Sequence, residues 1–161
     1  MRDHLLSRPT RTALIVSLFM LAATGLRPAL AAEDWNDKEI AWKPYDTGLA
    51  EAKKTKKPIC LIFYTEWCPH CQNYSGVFHD AKVVEKSKKF VMIRLDADKN
   101  QPLGEQYALD GKYIPRTFFL SSDGKVDGEI TAGRDKFKYF YDEKNPASVL
   151  ASMDTALKKL Q

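Results

Sequence analysis

The apolar positions of the chain fall into short blocks whose period changes several times. Over residues 45–56 (YDTGLAEAKKTK), Leu49, Ala52 and Lys53 recur at helical spacing behind Asp46 and Thr47, either of which can cap a first turn. That predicts a helix, ended by Pro58. ICLIFY (59–64) is a continuous apolar run of strand length, the pattern of a strand buried on both faces. Residues 69–87 suit one longer helix with Pro69 in its first turn. FVMIRLDAD (90–98) is a second apolar strand, and PLGEQYAL (102–109) a short helix. RTFFLSSDGKVDGEI (116–130) holds two strand-like runs joined by Ser122-Asp123-Gly124, which predicts a hairpin. KFKYFY (136–141) alternates as an edge strand does. Asn145-Pro146 then reads as an N-cap and first-turn proline opening an amphipathic helix through Leu150, Met153, Leu157 and Leu160. The order predicts an α/β domain, a central mixed β-sheet flanked by helices on both faces.

The region before these blocks reads as an address. Arg2, Arg8 and Arg11 precede an apolar stretch from Ala13 to Leu26, and Ala29-Leu30-Ala31 offers the small-x-small pattern of a cleavage site. Residues 1–31 are therefore expected to be a Sec-type signal peptide, 32–39 a polar lead-in, and 40–161 the folded domain. The destination is the periplasm or the exterior. An uncleaved membrane anchor is the weaker alternative, because a bilayer span needs roughly 20 apolar residues and Thr24, Gly25 and Arg27 interrupt this run. Removing the leader takes away four of 25 basic residues and one of 21 acidic ones, so the net charge drops from +4 to near +1. Nothing in that balance favours nucleic acid or a charged membrane surface. A monomer is expected.

An odd count of three cysteines sets the chemistry. Cys68 and Cys71 stand in EWCPHCQ (66–72), and a disulfide closing so short a loop constrains the unfolded chain little. Stability is a poor reason for the pair. Thiol–disulfide exchange is a better one, because it needs one accessible thiolate and a second thiol close enough to resolve the mixed disulfide. Cys68 just ahead of a helix meets N–H groups that stabilise S⁻, and Cys71 lies one turn deeper. His70 brings a donor, or a positive charge, beside the first sulfur. Cys60, inside the first strand, reads as a buried and inert thiol.

FYTEWCPHC after a buried strand, with YIPRTFFLSSDGKV further along, resembles the thioredoxin-fold disulfide oxidoreductases over residues 40–160. The C-terminal half is most similar to the small thioredoxin-like proteins of the endoplasmic reticulum and the anterior-gradient proteins. The Cys-Pro-His-Cys motif is the one typical of DsbA-type periplasmic oxidases. The resemblance implies a thioredoxin-like fold with Cys68 as nucleophile, Cys71 as resolving thiol, and Trp67, Pro69 and His70 tuning the thiolate. It also implies a cis-proline at Pro115, with the backbone of Ile114 offered to a substrate strand. One position departs from the family: Ile62 stands six residues before Cys68, where many members carry a buried carboxylate.

A metal site is the rival reading of Cys68, His70, Cys71 and His79. A zinc site wants four ligands, usually as two separated pairs, and no second C-x-x-C exists. Haem attachment would need histidine where Gln72 stands. Tyr107 and Tyr113 suit packing better than catalysis, and Arg116 is open between substrate contact and a structural cap. The expected function is thiol–disulfide exchange with cysteines of other exported proteins, in the oxidising direction, without a cofactor beyond the Cys68–Cys71 disulfide and reset by a membrane redox partner. A periplasmic thiol reductase, as in cytochrome c maturation, and a non-enzymatic dithiol chaperone or copper-handling module are the alternatives.

Overall fold

The computed structural model describes residues 34–161. The expected signal peptide and the start of the lead-in lie outside the described residues. Ile59–Tyr64 forms β1, the centre of a three-stranded sheet in the order β2-β1-β3. β2 (Val91–Asp96) runs parallel to it and β3 (Arg116–Leu120) antiparallel, with Ile62 beside Arg94 on one side and Thr117 on the other. Alternate residues of β1 divide between two cores. Cys60 and Ile62 face one that holds Trp35, Tyr74, Phe78, Phe119 and Met153, while Ile59, Leu61 and Phe63 face one that holds Ile93, Tyr107, Phe118 and Tyr139. That double burial is why the strand reads as an unbroken apolar run.

Helix α1 (Tyr45–Thr55) packs Ala52 into the second core, and its Gly48 passes so close to β2 that a Cβ there would meet Ile93 Cδ1 at 2.6 Å. Neither Asp46 nor Thr47 caps it. Pro44 occupies the cap position, and Lys56 in the left-handed region ends the helix two residues before Pro58. The long helix expected over 69–87 is three pieces: α2 (Pro69–Ser75), a 3₁₀ turn over Gly76–His79, and α3 (Ala81–Ser87). Asp80 makes the break. It takes an extended conformation and its carboxylate accepts from the Lys82 and Val83 N–H groups, so a new helix starts there.

After β2 comes the short α4 (Gln101–Gln106). The expected hairpin shrinks to β3 plus a single bridge between Leu120 and Val126. KFKYFY is not an edge strand. Phe137 adopts φ 54°, which breaks the extended pattern, although Tyr139 O still accepts from Thr117 N at the sheet edge. The last helix, α5 (Ala147–Lys159), starts one residue later than expected, with Asn145 Oδ1 accepting from Ala147 N. It buries Val149, Met153 and Ala156 and leaves Leu150, Leu157 and Leu160 at the margin. Trp35, in the stretch read as a polar lead-in, is 1 % exposed and belongs to the core. Among the described residues no helix is long and apolar enough to cross a membrane.

Candidate active site

β1 delivers the chain to the motif. Its last residue, Tyr64, is followed by a turn in which Cys68 N donates to Thr65 O, and Cys68 becomes the N-cap of α2. Pro69 occupies the first helical position, where no N–H is needed. The Cys68 sulfur replaces the usual capping oxygen: Sγ accepts from Cys71 N at 3.3 Å. Cys68 is 3 % exposed and Cys71 fully buried, so the first cysteine is the less completely covered of the two. All three cysteines are thiols in this structure.

The facing wall is the segment ahead of β3. Ile114 and Pro115 are joined by a cis peptide bond, and the Cys68 thiol points at Ile114 O, 4.0 Å away. The Ile114 N–H makes no hydrogen bond to any described residue. Arg116 settles its own question. It is 2 % exposed, and its guanidinium donates to the carbonyls of Tyr107, Gly111 and Gly104 while lying 5.2 Å from the Phe63 ring. Burial pulls its pKa down. Arg116 therefore touches no solvent-side substrate position; it fastens the 107–115 loop that carries Ile114.

Trp67 stands out into solvent, anchored by its indole N–H to Asp98 Oδ2 at 2.7 Å. His70 is not paired with the Cys68 sulfur. Its Nδ1 meets Glu143 Oε2 at 2.7 Å, and Glu143 Oε1 accepts from Asn73 Nδ2 at 3.0 Å. A carboxylate is a far stronger acceptor than a thiol, and it lies on the open flank of α2 where the ring projects. His79, on the 3₁₀ turn, donates to Asp34 O and so stands apart from the motif. Among the described residues, no three histidine, cysteine or acidic side chains gather as metal ligands would.

Below the motif, hydroxyls and the Cys60 thiol stand among apolar side chains. Ile62 sits fully buried beside Thr117, whose Oγ1 is 3.0 Å from the Tyr74 hydroxyl. Burial pushes the Cys60 thiol far up and the Tyr74 phenol well above its ordinary value. Cys60 is thus a protonated, inaccessible thiol at neutral pH. Sequence reasoning grouped both motif cysteines with Ile114 and Pro115, and the structure sets them side by side. It missed Glu143 and Asp98, which lie 73 and 31 positions from the side chains they hold. No local pattern marks such partners.

A thiol at the mouth of a helix, a second thiol beneath it and the Ile114 backbone across from the first form a disulfide-exchange geometry. A thioredoxin-like family model matches residues 41–122. The human anterior gradient protein 2 homolog is 29 % identical over 135 residues, covering 83 % of this chain and 75 % of that protein. A thioredoxin from Thermus thermophilus superposes with a TM-score of 0.60 at 25 % identity, over 75 % of this chain and 89 % of the other. A structure titled DsbH Oxidoreductase has the same fold, with a TM-score of 0.57 at 24 % identity over 83 % and 90 %.

Proposed function

The chain belongs to the thioredoxin-like family, and we propose that it is an exported thiol–disulfide oxidoreductase that introduces disulfides into other exported proteins. One observation carries the reading: Cys68 Sγ is held at the start of α2 by the Cys71 N–H, with Cys71 one turn deeper and the Ile114 backbone across from it. In the oxidising direction a client thiolate attacks Cys68 Sγ of the Cys68–Cys71 disulfide. That S–S bond breaks as the mixed disulfide forms, and Cys71 leaves as a thiolate and takes a proton. A second client thiolate attacks the client sulfur of the mixed disulfide, which forms the client disulfide and releases Cys68 as a thiolate. The client loses two electrons, and the pair gains them. A membrane-bound oxidant resets the dithiol.

Direction follows from thiolate stabilisation. Every contact that favours S⁻ at Cys68 stabilises the reduced pair and makes the disulfide more oxidising. The Cys71 N–H is one such contact. Ile62 in place of a buried carboxylate removes a ready base for Cys71, which suits attack by Cys71 poorly and so disfavours a reductase.

Two measurements test this. Cys71→Ser should accumulate mixed disulfides through Cys68, because Cys68 still attacks oxidised client cysteines and Cys71 is no longer there to displace the client, whereas Cys68→Ser should not. Equal trapping by both would refute the roles. Equilibration with glutathione should place the pair above the thioredoxin value of about −270 mV. A potential at or below that value would make the reductase the better account.

A further inference from the structure

We propose that Phe137 and Tyr113, with Arg134, Lys136 and Lys138 around them, form a docking platform beside Cys68. It selects extended, cysteine-bearing client segments in which an aromatic residue is flanked by acidic ones. The inference rests on the exchange reading above and adds the class of client.

The exposed apolar surface points there first. Among the described residues, the large hydrophobic side chains that stand exposed are Trp67, Leu109 and Phe137. Trp67 adjoins Cys68, and Leu109 lies in the loop that Arg116 fastens ahead of Ile114. Phe137 reaches the same loop through its ring, whose centroid is 4.9 Å from that of Tyr113, the neighbour of Ile114. A ring at one side of Ile114 is where an extended segment pairing with its backbone would place a side chain near the reacting cysteine.

Phe137 is held out at a cost. Its φ of 54° lies in the left-handed region, an outlier for a bulky residue, and its ring remains 54 % exposed. Glycine would take that conformation without strain, and burial does not repay it. A polar clasp maintains the arrangement. The Tyr113 hydroxyl donates to Asp110 and accepts from Tyr139 N, and Asp110 Oδ2 also accepts from Lys138 N at 2.6 Å. Both residues after Phe137 are thereby pinned by their backbone to the platform. Strain that a dedicated network sustains at an exposed aromatic, beside a reactive sulfur, points to use.

Charge gives the partner's sign. Within 133–138, Arg134, Lys136 and Lys138 outnumber Asp135, and none of the three cations forms a salt bridge with a described residue. Arg134 lies 5.0 Å from the Phe140 ring, which in turn is 5.7 Å from His70 of the motif. Two acids of the neighbouring segments are already engaged, Asp110 by the clasp and Glu143 by His70 and Asn73. A client must therefore bring both the aromatic ring and the negative charge.

The test uses three dithiol peptides of equal length whose cysteines are flanked by Phe with Asp and Glu, by Phe with Lys and Arg, or by Gly and Ser. Each is oxidised by the pre-oxidised protein, and kcat/KM is expressed as a ratio between peptides, which a general loss of redox activity would not move. Wild type should prefer the acidic-aromatic peptide over the basic-aromatic one by about tenfold at low salt, with the ratio shrinking as salt rises. Phe137→Ala should erase most of the advantage over the Gly/Ser peptide. Phe137→Gly should do the same with an equal or higher melting temperature, which separates docking from folding. Replacing Arg134, Lys136 and Lys138 by Glu should invert the charge preference. Equal ratios in wild type, or an undiminished preference in both Phe137 variants, would overturn the platform while leaving exchange itself standing. A wild type that does not exchange with glutathione would overturn the exchange reading, and the platform with it.

Discussion

His70 Nδ1 and Glu143 Oε2 are bound to each other on the flank of the helix that Cys68 caps, so neither acts on the sulfur alone. A ring hydrogen-bonded to a carboxylate 2.7 Å away presents Cys68 with a bound pair rather than a lone group. The simple expectation that His70 makes the disulfide oxidising must be replaced by a paired one. Removing His70 by His70→Ala leaves an uncompensated carboxylate near the thiolate, and the potential should become more negative. Removing the carboxylate by Glu143→Gln takes a negative charge away from the thiolate, and the potential should rise. Each shift should be roughly 10–30 mV, below the 30 mV that corresponds to about 1.4 kcal/mol, because the pair is partly solvated. The double variant should return close to wild type. Glutathione equilibration of the four proteins completes the cycle, and additive shifts of the same sign would show that the two side chains do not act as a pair.

At the scale of elements, close approach decides more than propensity does. Gly48 and Gly104 both lie in helices, and the same replacement should have opposite effects at the two positions. A Cβ at Gly48 would come within 2.6–2.7 Å of the buried Ile93 side chain, so Gly48→Ala should destabilise by about 1–3 kcal/mol despite its gain in helix propensity. A Cβ at Gly104 meets nothing within 4 Å, so Gly104→Ala should stabilise by about 0.5–1 kcal/mol. Urea midpoints read both; equal signs would mean that α1 is free to move off β2. The same distinction explains which elements were legible in the sequence. β1 and β2 announce themselves because burial on both faces demands apolar residues at every position, and the cysteine pair because its chemistry fixes its spacing. The break at Asp80 stayed hidden: the apolar residues Tyr74, Val77, Phe78, Val83 and Val84 continue at helical spacing through a cap. Residues 136–141 depart from their sequence pattern for the opposite reason. Their alternation resembles a strand, but long-range contacts such as Tyr113 to Tyr139 hold them, which no local period encodes.

For the molecule as a whole, the sheet divides the interior in two, and the core under the motif contains ionisable groups that must stay neutral. Cys60, Tyr74 and Tyr141 all belong to it and are no more than 1 % exposed. Burial is the first cause that raises each of their pKa values, and Cys60 is a further cause for both tyrosines. In the unfolded chain they ionise near 9.0 for the thiol and 10.0 for the phenols. A group whose folded pKa is raised contributes stability that is complete below its unfolded pKa and is lost as pH climbs from there toward the folded value. The unfolding free energy should therefore be flat up to about pH 9 and then fall, each group adding a slope of about 1.4 kcal/mol per pH unit. Cys60→Ala isolates the first step. It should cost about 1 kcal/mol at neutral pH through the lost sulfur, yet the onset of the alkaline decline should move from the thiol's range to the phenols'. Urea titrations from pH 7 to about pH 10.5 measure both. A wild-type profile without the decline would mean that this core, which Cys71 shares, admits charge or water.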